Sequence, residues 1–281
     1  MTTFSAYFRG VRARKTYHPD TSLSLAVACD LAYKAPSRVK TVAKGWGFNQ
    51  VSLIDVQKGA DIDTQGYVMA NATDIICVFR GSDAIEDWFA NFQAVTDPGP
   101  LTGTKAHEGF QDALYPAVIA ISNAIDSFGG AEKRLWLTGH SLGGALCSLY
   151  AGMLMENSYD VYGIYTFASP RPGDDKFAVA LNSAMEHGPH FRVVNEGDIV
   201  PHVPPEPFFS HPGRRVLLSF RRRESRVSTW RAWRKKIFEE LMDMTGKVWR
   251  IKSNHVLHAP KLGYIPRLIA DAKRSQRKAK S

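Results

Sequence analysis

The feature that most constrains the fold is the segment RLWLTGHSLGGALCSLYAGML, residues 134–154, in which one serine stands between two apolar runs. Residues 134–137 have the character of a short buried strand, and residues 142–154 that of a helix with small residues on one side. The glycines between them permit a tight junction. The pattern therefore predicts a strand–turn–helix unit whose turn presents the hydroxyl group of Ser141.

The rest of the chain alternates between strand-like and helix-like patterns. A helix is predicted from Ser22, with Asp20 or Thr21 as its N-cap. The segments VSLIDV, QGYVMA and TDIICVFRG are predicted strands, and further helices then alternate with strands as far as HFRVVNEGD. This order predicts an α/β fold in which a mostly parallel central sheet has helices on both faces. We expect one domain over residues 1–281.

The net charge of +9 is concentrated near the C-terminus. Residues 214–250 hold twelve Lys and Arg residues against four acidic residues, and residues 251–281 hold eight against one. The segment STWRAWRKKIFEELMDM places its apolar residues at helical spacing beside basic ones. A basic helical insertion at 214–250 and a basic tail at 271–281 are predicted. The insertion either contacts an anionic membrane or packs on the domain; no motif indicates a nucleic acid partner.

Two features bear on location. The sequence has neither an apolar run near 18 residues nor a recognisable signal peptide, so we expect an intracellular or peripheral membrane protein. The three cysteines, Cys29, Cys77 and Cys147, are widely spaced in apolar runs, which favours buried thiols in a reducing compartment.

The cysteines form no pattern typical of a metal site, and no cofactor is expected. The oligomeric state is not indicated.

The junction at residues 139–143, GHSLG, matches the nucleophile motif G-x-S-x-G in the strand–turn–helix context that the motif requires. A serine nucleophile needs a base and an acid that holds the base. Asp198 is the candidate acid because it follows the predicted strand HFRVVN, and sites collect at the carboxyl ends of such strands. Glu196 is the neighbouring alternative.

The base must be a histidine further along the chain. His255 and His258 precede the last apolar segment, whereas His202 and His211 follow Asp198 too closely to reach the serine readily. The site also needs two donors for an oxyanion. The main-chain N–H of Leu142 is one candidate. The other is in the loop after VFRG, where Ser82 stands.

Five segments together resemble the fungal-type class 3 lipases of the α/β-hydrolase superfamily: VFRGSDAIEDWFANF, HEGF, TGHSLGGALCSL, TFASPRPG and NEGDIVPHVPP. The resemblance implies Ser141 as nucleophile, Asp198 as acid, and the main chains of Ser82 and Leu142 as oxyanion donors. For the base it favours His258, within HAPKLGY, over His255.

The same resemblance implies a substrate-binding region around Trp88, Phe89 and His140, although the aromatic residues could equally pack a surface helix onto the core. It also implies hydrolysis of carboxylic esters of lipids through an acyl-enzyme, as in a triacylglycerol lipase. A phospholipase A1 or a short-chain esterase is the enzymatic alternative. An inactive relative that binds membranes is the alternative outside catalysis.

Overall fold

The computed structural model describes residues 4–58, 62–82, 94–219 and 255–278, and its strands form one large sheet and one short two-stranded sheet. The strands are β1 (Gln50–Lys58), β2 (Ile62–Ala70), β3 (Asp74–Phe79), β4 (Thr96–Pro98), β5 (Lys105–His107), β6 (Arg134–His140), β7 (Gly163–Phe167), β8 (His190–Asn195) and β9 (Arg214–Leu218). The helices are α1 (Pro19–Leu31), α2 (Pro36–Gly45), α3 (Glu108–Ser127), α4 (Leu142–Glu156), α5 (Asp175–Ala184) and α6 (Tyr264–Lys278), with 3₁₀ turns at Phe4–Tyr7 and Val200–His202.

The large sheet has seven strands in the order β1-β2-β3-β6-β7-β8-β9. β1 and β2 form an antiparallel hairpin, and β2 also pairs antiparallel with β3. From β3 to β9 every pairing is parallel. The prediction of a mostly parallel sheet is therefore confirmed. The carboxyl ends of the parallel strands meet at one edge, where the loops that follow them come together.

Helices cover both faces of this sheet. α3 and α4 contribute to one apolar cluster, with Phe110 and Leu149 among its fully buried members. α1 and α6 contribute to the second cluster on the other face, which includes Leu23 and Leu268. A strand enclosed on both sides has no polar face, which explains why all six residues of β3 are buried and why its sequence is apolar after Asp74.

The first helix begins earlier than its sequence predicts. Pro19 is at its first turn and His18 is the N-cap, so the predicted caps lie inside the helix. Their side chains have other partners: Arg9 donates to Asp20 at 3.0 Å, and the main-chain N–H of Arg12 donates to the hydroxyl of Thr21 at 3.1 Å. These contacts join α1 to the preceding segment and therefore do not follow from a capping pattern.

The predicted helical insertion at 214–250 needs a correction at its start. Residues Arg214–Leu218 form β9, the edge strand beside β8, because this segment pairs along the whole of β8 from Phe191 onwards. The remainder of the insertion lies outside the described residues.

The predicted basic tail forms, as far as Lys278, the last turns of α6. None of the helices in the described ranges has the length and apolar character that a membrane span requires.

Candidate active site

The turn between β6 and α4 is built so that Ser141 stands above the sheet edge. Ser141 is the N-cap of α4 and has a positive φ of 56° with ψ −130°, a strained combination for a residue with a side chain. Two glycines make the close packing possible. A Cβ on Gly139 would lie 2.0 Å from the carbonyl oxygen of Gly143, and one on Gly143 would lie 2.3 Å from that of Phe79. The predicted strand–turn–helix unit is thus present.

A chain of hydrogen bonds connects Ser141 to His255 and then to Asp198. The Ser141 Oγ lies 3.1 Å from Nε2 of His255, and the Nδ1 of that ring lies 3.0 Å and 3.1 Å from the two carboxylate oxygens of Asp198. All three residues are at most 3% exposed. With a proton on Nδ1, the imidazole donates to the carboxylate and its Nε2 accepts from the serine hydroxyl.

Further donors hold the Asp198 carboxylate in place. The hydroxyl of Tyr264, at the start of α6, donates to Oδ2 at 2.6 Å, and the main-chain N–H of Val200 donates to Oδ1 at 3.1 Å. Burial, and then the nearby carboxylate, raises the pKa of Tyr264 well above its ordinary value, so the phenol keeps its proton. The main-chain N–H of Asn195 donates to the same phenol oxygen at 3.1 Å. Tyr264 thus connects the end of β8 to the acid.

The loop after β3 lies directly against the Ser141 turn. A Cβ on Gly81 would lie 2.6 Å from the carbonyl oxygen of His140 and 3.0 Å from the Cβ of Ser141. Ser82 is the next residue and is partly buried. Leu142 is the first residue of α4, and the N–H groups of a helix's first turn have no acceptor within the helix. The two predicted oxyanion residues therefore lie at the start of α4 and in the loop after β3, which meet at the nucleophile.

A second hydrogen-bonded chain ties this loop to the segment that carries His255. The main-chain N–H of Gly81 donates to the hydroxyl of Tyr33 at 3.1 Å, and that hydroxyl donates to Nδ1 of His140 at 2.9 Å. Nε2 of His140 lies 3.0 Å from the carbonyl oxygen of His255, which can only accept, so Nε2 carries the proton. Burial, and then the nearby His255, lowers the pKa of His140 to about 3, which keeps the ring neutral.

Comparisons with known proteins agree with this arrangement. Residues 76–208 match the family model described as lipase (class 3). Over these residues the chain is similar to the class 3 lipases. Over 160 residues it is 41% identical to a lipase of Rhizomucor miehei, a match that covers 52% of this chain and 42% of that protein.

Two further similar proteins bear on the candidate active site. A phospholipase A1-II 3 of Oryza sativa subsp. indica is 30% identical over 189 residues, which cover 55% of this chain and 45% of that protein. A solved structure described as a serine protease triad forming the catalytic centre of a triacylglycerol lipase is 27% identical, with a TM-score of 0.55, and the match covers 76% of this chain and 79% of that one. The α/β-hydrolase fold is thereby confirmed. The chain spans less than half the length of these two curated relatives.

The geometry contradicts the preference for His258 as the base. The His258 side chain is 62% exposed, and its Nδ1 lies 3.4 Å from Oδ1 of Asp30. It takes no part in the chain that joins Ser141 to Asp198. His255, the alternative, occupies that place. The two histidines are three residues apart, and the loop turns one inward and the other outward.

The remaining candidates for the acid and the base have other hydrogen-bond partners. Glu196 accepts from the hydroxyl of Ser219 at 2.9 Å, and the His211 ring donates to the carbonyl oxygen of Pro201. His140 is predicted to bind substrate, but both of its ring nitrogens are hydrogen-bonded within the chain, to the hydroxyl of Tyr33 and to the carbonyl oxygen of His255. Trp88 and Phe89 lie outside the described residues.

Sequence reasoning missed two tyrosines of the candidate active site. Tyr33 and Tyr264 each use one hydroxyl to connect two functional segments. The only signal for Tyr264 was its place in HAPKLGY, and Tyr33 carried no signal because it follows α1, far from the site in sequence. Within the described residues, no group of three or more metal-ligating side chains is present.

Proposed function

We propose that this protein hydrolyses carboxylic esters of lipids through an acyl-enzyme. The observation that carries the proposal is the chain of hydrogen bonds from Ser141 through His255 to Asp198. Ser141 Oγ attacks the acyl carbonyl while His255 takes its proton and passes it to the leaving alcohol. Asp198 orients the ring and stabilises the imidazolium. Water, activated by the same histidine, then releases the fatty acid.

The developing oxyanion is held by main-chain N–H groups of Leu142 and Ser82. The positive end of the α4 dipole lies at Ser141 and adds to this stabilisation. The close contact between Gly81 and the serine turn supports the assignment, since it brings the Ser82 loop beside the attacked carbon.

The substrate class rests on the relatives. The similar proteins include fungal lipases and a plant phospholipase A1, so both triacylglycerols and phospholipids are candidates, with short soluble esters as the third. We favour water-insoluble esters, with Trp88 and Phe89 near the acyl chain.

Labelling by a fluorophosphonate probe tests catalysis by Ser141. We expect wild-type protein to be labelled, Ser141→Ala not to be labelled, and His255→Ala to be labelled far more slowly. Folded wild-type protein that remains unlabelled would contradict the proposal and favour a non-catalytic membrane-binding relative. Initial rates on p-nitrophenyl esters of increasing chain length, emulsified triacylglycerol and phospholipid vesicles then identify the substrate class. Equal rates on soluble and aggregated esters would refute the preference for lipids.

We further propose contact with anionic membranes and an intracellular or peripheral location. Exposed Lys273, Arg274 and Arg277 on α6 support the first proposal. The second is supported by the three cysteines, all buried and free. Sedimentation with anionic and with zwitterionic vesicles, and fractionation of cells that express a tagged chain, test the two proposals separately.

A further inference from the structure

Two arginines lie side by side on the outer strands of the sheet. Arg192 in β8 is aligned with Arg215 in β9, and neighbouring strands are about 4.8 Å apart. Arg214 lies over the ring of Phe191, 4.5 Å from its centroid, on the face that α1 and α6 cover. Because successive side chains alternate between faces, Arg192 and Arg215 share the opposite face. Two positively charged side chains therefore lie next to each other on the two strands.

A third arginine approaches the same face from the loop after β7. Arg171 is only 7% exposed and donates through Nη1 to the carbonyl oxygen of Pro204 at 2.7 Å. Its Nη2 lies 3.0 Å from a carboxylate oxygen of Glu206, whose side chain is 56% exposed. Arg171 and Glu206 thus already form a pair at the border of this region.

Arg192 lacks such an acceptor. Among the described residues, its Nε is buried and makes no hydrogen bond. Burial, followed by the charges of Arg215 and Arg171, lowers the pKa of Arg192 to about 10, so the side chain remains charged at neutral pH. The carboxylate of Glu206 acts on Arg192 in the opposite direction, but it is hydrogen-bonded to Arg171 rather than to Arg192. A guanidinium held largely out of water without a hydrogen-bonded anion is unfavourable.

We propose that Arg192 and Arg215 bind a phosphate group, either free or as a phosphate ester, with Arg171 adding to the local positive field. The guanidinium fork matches two oxygens of a tetrahedral oxyanion, and hydrogen bonds between two charged groups are among the strongest in proteins. Arg215 is exposed, so the ligand reaches the pair from the solvent side of β9. The shared chemistry admits two sources, a soluble phosphate compound and a phospholipid headgroup. The site does not depend on the proposed hydrolysis.

Thermal unfolding of the full chain tests the site without any substrate. Inorganic phosphate should raise the Tm of wild-type protein above that in sodium chloride of equal ionic strength. In Arg192→Met, phosphate should no longer raise the Tm. The Tm of this variant without phosphate should exceed that of wild-type protein, because an unpaired buried cation has been removed. An equal Tm in phosphate and chloride for wild-type protein would overturn the proposal, as would an undiminished increment in Arg192→Met.

Neighbouring residues of β9 provide the matched control. Arg215→Gln and Arg214→Gln remove the same charge from opposite faces of the strand. We expect Arg215→Gln to weaken phosphate affinity, measured by calorimetry, by about tenfold or more, as the loss of one charge-assisted hydrogen bond predicts. Arg214→Gln should leave it within about threefold, because no ligand contact is lost. Equal losses of phosphate affinity in the two variants would show that phosphate responds only to the general surface charge. That result would overturn the proposed site.

Vesicles identify the source of the phosphate. Phosphatidylcholine vesicles with and without phosphatidic acid are sedimented with wild-type protein and with Arg192→Met. Loss of the phosphatidic acid effect in Arg192→Met, together with its lost response to inorganic phosphate, supports a lipid headgroup at this site. An unchanged phosphatidic acid effect, with the phosphate response still lost, supports a soluble phosphate compound.

Discussion

At the scale of single residues, the two neighbouring histidines make the sharpest prediction. We expect His255→Ala to lower kcat for a p-nitrophenyl ester by on the order of 10³-fold or more, because the serine loses its base. His258→Ala removes a largely exposed ring beside Asp30 and should change kcat less than about threefold. A larger loss in His258→Ala than in His255→Ala would restore the sequence-based choice of base.

Tyr33 gives a second prediction at this scale. Tyr33→Phe removes the hydroxyl that accepts from Gly81 and donates to His140, and it leaves both buried groups unpaired. An unpaired buried polar group costs about 1–3 kcal/mol, so we expect kcat to fall about tenfold or more while KM changes little. Tyr115→Phe, which removes a hydroxyl from the partly exposed face of α3, is the control. Equal steady-state constants for the two variants would show that the hydroxyl does not position the site.

At the scale of secondary structure elements, the contact between α4 and β3 depends on the absence of a side chain at Gly143. In Gly143→Ala the new Cβ would meet the main-chain oxygen of Phe79, which cannot move without displacing the strand. We expect a loss of about 1–3 kcal/mol in the free energy of unfolding. Gly45→Ala is the matched control because open space surrounds that position in α2, and there alanine should stabilise by about 0.5–1 kcal/mol. Urea denaturation should therefore give opposite signs for the two variants.

Some of these elements could be predicted from the sequence and others could not. The Ser141 turn could be predicted because its signal is local: an apolar strand, glycines and a helix follow one another in the chain. β9 could not be, because its strand character comes from pairing with β8, more than fifteen residues away. The inward turn of His255 likewise depends on contacts with Ser141 and Asp198, which lie over fifty residues apart from it in sequence. Spacing within a loop does not reveal which histidine faces the site.

At the scale of the whole molecule, several buried histidines make folding sensitive to acid. Burial is the main reason that the pKa of His190 falls from 6.5 to about 3, and Arg214 and Arg192 lower it further. Burial likewise lowers the pKa of His140 to about 3 and that of His202 to about 4. In the unfolded chain these rings bind protons near pH 6.5, whereas in the folded chain they remain neutral until the pH is much lower. The unfolded state therefore binds more protons between these values.

The sign of the pH dependence follows from that difference. Above pH 6.5 the rings are neutral in both states and their titration does not affect stability; below it, stability falls until the folded-state pKa is reached. Each such histidine contributes at most about 1.4 kcal/mol per pH unit in that window. We expect the free energy of unfolding, measured in urea, to decrease steeply between about pH 6 and pH 4.5. His190→Asn should reduce the slope by about one proton, whereas His187→Asn, at an exposed position, should leave it unchanged. Equal slopes in these two variants would show that His190 is not held neutral in the folded protein.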